Sequence, residues 1–209
     1  MKQKIFVTAT NTNIGKTYAS VKILEHLGKQ GVKIGAFKPI ETGVDNIPQD
    51  ALKLLEVCQK YNTNFKNLTP FDITSYTFTL PAAPFSADSK GIIDIAKIRE
   101  KIVKLEAKCD FLLIEGAGGL MVPIKKSYFM IDLIKDLNCQ TLLVTPSYLG
   151  CINETLLSIK ALENRDIEYN WCVNLYNDKE SFAKTTKPFY DEYFKEWQTL
   201  QEYICNFYI

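Results

Sequence analysis

Short apolar runs alternate with amphipathic stretches along most of the chain. Runs at residues 4–8, 33–37, 111–114, 140–144 and 170–175 are rich in β-branched or aromatic residues and predict strands. Between them, apolar residues recur at helical spacing: Ala19, Ile23, Leu27; Ala51, Leu54, Leu55, Cys58; Ile95, Ile98, Ile102, Leu105; and Leu156, Ile159, Leu162. Asp94 stands where the third of these helices needs an N-cap. Strands alternating with helices in this way predict parallel strands joined by crossover helices, an α/β fold. From residue 61 to 91 the pattern lapses into polar sequence with Pro70, Pro81 and Pro84. So long a stretch without an element is unusual in a compact domain, and a connection lying over a site is expected there. Near the C-terminal end, Phe189, Tyr193, Trp197, Leu200, Ile204 and Phe207 draw an apolar stripe. It predicts one helix opening near Pro188, buried on the core or on a second subunit rather than lining a ligand site.

Composition narrows the class. The chain's 209 residues, 46% apolar and 23% charged, are those of one globular domain able to bury a sizeable core, which excludes disorder and a small stapled scaffold. With 25 Lys+Arg against 24 Asp+Glu the net charge is +1, so no global field draws the protein to nucleic acid or a membrane, and anion binding must be local. Met1, Lys2, Gln3 and Lys4 lead into only Ile5, Phe6 and Val7, too short an apolar stretch for a signal peptide or a membrane span. The six scattered cysteines form no C-x-x-C pair and read as reduced, mostly buried thiols of a cytoplasmic protein. His26, the one histidine, falls inside a predicted helix and reads as a surface residue, so mechanisms needing two imidazoles are excluded.

The candidate chemistry begins at Thr10-Asn11-Thr12-Asn13-Ile14-Gly15-Lys16-Thr17, which follows the first strand and opens the first helix, the context of a phosphate loop. Gly15 lets the backbone approach a phosphate, and the amides that follow point at it from a helix N-terminus. Lys16 adds a cation, and Thr17 offers a hydroxyl to Mg²⁺. Thr10 replaces the first glycine of G-x-x-x-x-G-K-S/T, so that turn must be made without glycine. Glu115 ends a buried apolar run where the C-terminal edge of a parallel sheet receives ligands, and pairing with a metal removes the penalty of its burial. Gly116, Gly118 and Gly119 after it leave room for backbone beside a triphosphate. Asp50 fits a metal role or a helix N-cap equally. Lys38, before Pro39, is either a solvated strand-end lysine or a second cation at the edge that Lys16 occupies.

These segments together resemble the dethiobiotin synthetase family. The family's G-T-D-T-x-x-G-K-T is matched by Ala9 to Thr17, its lysine segment by Phe37-Lys38-Pro39 with Thr42-Gly43, and its aspartate segment by Asp50-Ala51-Leu52. Its acidic strand is matched by Ile114-Glu115-Gly116-Ala117-Gly118-Gly119, and its L-G-C/S/T-I-N segment by Leu149 to Asn153. The resemblance implies a single-domain P-loop NTPase-like fold over residues 1–209, with a mostly parallel central sheet flanked by helices. It implies ATP- and Mg²⁺-dependent closure of the ureido ring of dethiobiotin from 7,8-diaminononanoate (diaminopelargonate) and CO₂ or bicarbonate, releasing ADP and phosphate. On that reading a substrate amine forms a carbamate, the carbamate oxygen attacks the γ-phosphoryl of ATP, and the second amine expels phosphate. Such phosphoryl transfer needs positioning and charge neutralisation more than a protein nucleophile.

Carried onto this sequence, the resemblance implies that Thr17, Asp50 and Glu115 hold the metal and that Lys16, Lys38 and Thr12 act on the reacting anions. Residues Asn13, Ile14, Gly15, Tyr18, Gly116, Ala117, Gly118, Asn174 and Leu175 would complete the ATP site. Thr42 would touch the diamine. Gly150, Cys151, Ile152 and Asn153 would hold its distant carboxylate across a homodimer whose active sites are shared. The sequence departs from the family at Ala9, Asn11 and Asn13, and the family's Gly-Pro segment beside the nucleobase is not recognisable. A rival class on a related fold, the partition-type ATPase switch with protein or DNA partners, resembles K-G-G-x-G-K-T, and its leading lysine is Asn11 here. Glutamine-dependent amidase synthases need a cysteine–histidine glutaminase domain, which His26 alone cannot supply.

Overall fold

The computed structural model describes residues 3–176 and 178–208; Met1 and Lys2, half of the polar lead into the first strand, lie outside them, as do Asn177 and Ile209. Strands β1 (Gln3–Ala9), β2 (Ile34–Thr42), β3 (Thr74–Phe78) and β4 (Phe111–Gly119) precede a short pair, β5 (Pro123–Lys125) and β6 (Tyr128–Phe129), and are followed by β7 (Gln140–Thr145) and β8 (Tyr169–Val173). Six of these form one parallel sheet in the order β3-β2-β4-β1-β7-β8, while β5 and β6 pair antiparallel apart from it. The central strands are buried on both faces, as a parallel sheet covered by helices requires. Phe6, Phe37 and Phe111 are fully enclosed, each contributing on the order of 2–3 kcal/mol of burial.

The helices are α1 (Lys16–Lys29), α2 (Gln49–Tyr61), α3 (Pro84–Ala87), α4 (Ile95–Glu106), α5 (Met130–Leu137), α6 (Cys151–Glu163), α7 (Lys179–Thr185), α8 (Lys187–Tyr193) and α9 (Leu200–Cys205). The predicted apolar faces of α1 and α2 are buried, and Asp94 caps α4 by accepting the N–H of Ala96 at 2.8 Å. Cys58, Cys109, Cys151 and Cys172 are buried, Cys139 is half-buried and Cys205 is exposed, all as free thiols. His26 is half-buried, with a ring nitrogen 2.9 Å from Gln30 Nε2.

Several expectations need correction. β2 runs past residue 37 to Thr42 because its second half pairs with β3 rather than β4, with Lys38 opposite Thr74 and Thr42 opposite Phe78. β8 ends at Val173, so Asn174 and Leu175 follow the strand. Residues 61–91 are not a bare connection. They hold two 3-10 turns (Thr63–Phe65 and Pro70–Ile73), the edge strand β3 and α3. β3 was hidden because its sequence, TSYTF, is mostly half-exposed and gives no clean alternation. The part of this stretch that lines the cavity described below is Pro81 to Pro84, at the entry to α3. The C-terminal stripe is not one helix: α8 stops at Tyr193, and residues 194–199 run without helix to Thr199, which bridges to Val173 beside the sheet. Thr199 and Glu202 then restart the chain as α9 through a capping box. Tyr190, absent from the stripe, is fully buried, whereas Tyr193 is exposed. Helix α5 lay outside the helical segments read from the sequence.

Candidate functional site

The loop between β1 and α1 is shaped by two left-handed residues, Asn13 (φ 61°) and Gly15 (φ 98°). Thr10 is not left-handed, so the missing glycine is not needed there for backbone freedom. Gly15 is doubly constrained, since a Cβ there would lie 2.3 Å from Asn174 Nδ2, which donates to the Ile14 carbonyl at 2.9 Å. Gly119 at the end of β4 brings that strand close, because a Cβ would lie 2.6 Å from the Thr10 carbonyl oxygen. Lys16 folds back to donate to the Asn11 carbonyl at 3.0 Å. Burial and then the charge of Lys38 lower its ammonium to about 8.

Beside the loop, Lys38 from β2, Asp50 from α2, Glu115 from β4 and Thr17 from α1 meet. Lys38 Nζ donates to Glu115 Oε1 at 2.7 Å, to Asp50 Oδ2 at 2.9 Å and to the Gly116 carbonyl at 3.2 Å, and Thr17 Oγ1 donates to Glu115 Oε1 at 2.9 Å. Burial alone would drive Lys38 neutral, but the carboxylates of Glu115 and then Asp50 outweigh it and hold its pKa above the ordinary lysine value. Asp50 shows the complementary balance: burial pushes its carboxyl up, and Lys38, with the Thr17 hydroxyl, carries it below the ordinary range. Asp50 is not an N-cap. The cap position of α2 is Pro48, and Asp50 is the second residue of the helix.

Thr17, Lys38 and Asp50 line a cavity of about 670 Å³, as do Thr12, Asn13, Tyr18 and Thr42, together with Ala117 and Gly118. Pro81 to Pro84 line it as well. Glu115 lies beneath, fully buried, and Gly116 is packed against Phe6. Gly150 (φ 102°) caps α6, and neither it nor Cys151, Ile152 and Asn153 lines this cavity. Asn174 packs on the loop at Ile14, its own carbonyl accepting from Ser147 at 3.2 Å, and neither it nor Leu175 lines the cavity. Sequence reasoning missed Glu41, which lines the cavity and whose carboxylate accepts the N–H groups of Asp50 at 2.9 Å and Ala51 at 3.0 Å. Burial raises its pKa despite those two bonds. An acid directly before Thr42, in the same segment as Lys38-Pro39, was the available signal.

A parallel sheet with a glycine-lysine-threonine loop after its first strand, and acids at the adjacent strand ends, defines the class of P-loop nucleotide-using proteins. Solved structures of this fold include the cell-division protein MinD of Aquifex aeolicus (TM-score 0.53, 19% identity, 90% of this chain and 77% of that one). A plasmid partition protein of Borrelia burgdorferi is also similar (TM-score 0.58, 11% identity, 97% and 95%), and at such identities the likeness extends to the fold alone. A family model described as an AAA domain matches residues 3–173. Among curated relatives, the ATP-dependent dethiobiotin synthetase BioD of Sulfurovum sp. is 55% identical over 97% of each chain, and that of Wolinella succinogenes is 40% identical over 90% of this chain and 88% of its own. The chain belongs to the ATP-dependent dethiobiotin synthetase family, a family of ligases of biotin biosynthesis. The partition-switch alternative is not favoured.

Proposed function

We propose that residues 1–209 act as one domain, in which Thr17, Asp50 and Glu115 hold Mg²⁺ while Lys16, Lys38 and Thr12 act on the reacting anions. The metal, when bound, supplies neutralisation of triphosphate charge. The donors fit it: a hydroxyl and two carboxylates are hard oxygen ligands, and few are needed where phosphates complete the shell. Glu115 Oε2 is buried with no hydrogen-bond partner, an acceptor that a hard cation or its water shell would satisfy. The observation that carries the reading is the bridge of one cation, Lys38, across Asp50 and Glu115.

Lys16 and Lys38 then present two ammonium groups toward one cavity, where a carbamate and a transferring phosphoryl group gather negative charge. Thr12 offers its hydroxyl to the same anions, and Thr42 contacts the diamine. The phosphate loop residues Asn13, Ile14, Gly15 and Tyr18, with Gly116, Ala117 and Gly118, surround the nucleotide, and Asn174 and Leu175 face its base. Gly150 to Asn153 open α6 away from the cavity, which supports a role for them in a homodimer, receiving the substrate carboxylate at a neighbour's site. The exposed Leu149 beside them, 84% accessible, suits burial between protomers. The partners are small molecules: diaminopelargonate, CO₂ or bicarbonate, and ATP. A cytoplasmic setting without nucleic acid or membrane partners is proposed on the near-zero net charge, which provides no global field toward either.

Purified protein with Mg·ATP, bicarbonate and diaminopelargonate is expected to release phosphate and dethiobiotin. Phosphate release no greater than in the absence of the diamine would overturn the reading. Asp50→Asn is expected to raise the Mg²⁺ concentration for half-maximal rate, and an unmoved value would remove Asp50 from the metal site.

A further inference from the structure

We propose that Glu41 is a positioning residue that caps helix α2 from the adjacent strand and thereby fixes Asp50 at the metal site. The inference rests on the reading of Asp50 as a metal ligand and deepens it. A helix normally draws its cap from the residue before its first turn, where Ser, Thr, Asp or Asn accepts the N–H of the second or third helical residue. In α2 that position is Pro48, which has no side-chain acceptor and makes no side-chain cap hydrogen bond. The second and third helical residues are Asp50 and Ala51, and their N–H groups donate to the two carboxylate oxygens of Glu41. The missing cap is therefore supplied from β2, with both oxygens used and the negative charge set at the positive end of the helix.

The geometry gives Asp50 two anchors from one strand. Glu41 holds its backbone amide, and Lys38, three residues earlier on β2, holds its carboxylate at 2.9 Å. Both acids line the cavity, but Glu41 is 7% exposed with both carboxylate oxygens engaged by the α2 amides, whereas the Asp50 side chain remains 36% exposed, so Asp50 is the more accessible of the two. Without Glu41 two amides at the start of α2 lose their acceptor, and the helix end bearing Asp50 loosens. A glutamine at the position has one acceptor oxygen and an NH₂ that cannot face an N–H, so it would keep one bond of the two.

The test compares wild type, Glu41→Gln, Glu41→Ala, Asp50→Asn and the double variant Glu41→Ala with Pro48→Asp, which places an ordinary cap where the chain lacks one. Two quantities are read: amide hydrogen exchange at Asp50 and Ala51 in the nucleotide-free protein, and the Mg²⁺ concentration for half-maximal phosphate release. Glu41→Ala is expected to speed exchange at both amides and to raise the Mg²⁺ requirement, each roughly fivefold, as loss of a cap implies. Glu41→Gln should fall between, KM for the diamine should hold within about twofold, and Pro48→Asp should restore both readouts. Unchanged exchange in Glu41→Ala would overturn the cap, and faster exchange with an unmoved Mg²⁺ requirement would overturn the positioning role. Failure of Pro48→Asp to rescue, or a rise confined to diamine KM, would mean that Glu41 acts on substrate instead. If Asp50→Asn leaves the Mg²⁺ requirement unmoved while exchange responds as expected, the metal assignment of Asp50 is what fails, and the positioning role falls with it.

Discussion

Replacing Lys38 by methionine removes one partner of the ion pair at the heart of the site. At 2.7 Å and with an effective dielectric constant near 20, the attraction to Glu115 is about 6 kcal/mol, and desolvating each ion costs several kcal/mol in opposition. The pair is thus near balance as a whole, but its halves are not. Glu115 is 0% exposed, so Lys38→Met leaves a buried carboxylate without its counterion and should destabilise the metal-free protein by about 3–5 kcal/mol. Glu115→Gln should cost less, since Lys38 keeps Asp50 at 2.9 Å. The double variant, with the pair replaced by neutral groups of similar size, should lie within about 2 kcal/mol of wild type, so the two changes are strongly non-additive. Urea unfolding of the four proteins in EDTA without nucleotide measures this cycle. In the substrate-dependent phosphate assay, Lys38→Met should lose about 10²–10³ in turnover, the scale of one lost charge-stabilising donor. Lys38→Met within about 1 kcal/mol of wild type, or additive effects, would refute the buried pair, and an unchanged rate in Lys38→Met would remove the catalytic role.

Gly15→Ala forces a side chain into left-handed backbone and onto the Asn174 amide, and nucleotide affinity measured by calorimetry should fall at least about tenfold. A thiol reagent under native conditions should modify the exposed Cys205 first. Cys139, half-buried and pushed up to about 12 mainly by burial, should follow slowly, and the four buried thiols should react only on unfolding. Thr199→Ala removes the hydroxyl that accepts the Glu202 N–H, so α9 should lose about 1 kcal/mol, read as a drop of roughly 2–4 °C in thermal midpoint.

The parts of the site that could be read from sequence are those in which chemistry and backbone are written in neighbouring residues. Gly15, Lys16 and Thr17 sit at a strand-to-helix junction, and the spacing alone states what they do. Glu115 was legible because an acid at the end of a run as apolar as Phe111 to Ile114 needs a partner. The buried strands and the apolar faces of α1, α2 and α4 were legible for a similar reason, since period and burial coincide there. Where burial is partial the pattern fails. The half-exposed edge strand β3 reads as loop, and the stripe from Phe189 to Phe207 keeps helical spacing across a break that Thr199 and its bridge to Val173 impose. Asp50 marks the boundary between the two cases. Its place at the start of an amphipathic segment suited a cap or a metal ligand equally, and the choice turned on what stood across from it. Pro48 occupies the cap position and Glu41 provides the capping oxygens, leaving the Asp50 carboxylate free to meet Lys38. A helix that took its cap from its own Asp50 would have turned that carboxylate onto its own amides. Supplying the cap from β2 keeps it turned toward the cavity, and that division of labour between two acids nine positions apart is visible only once strand and helix are packed together.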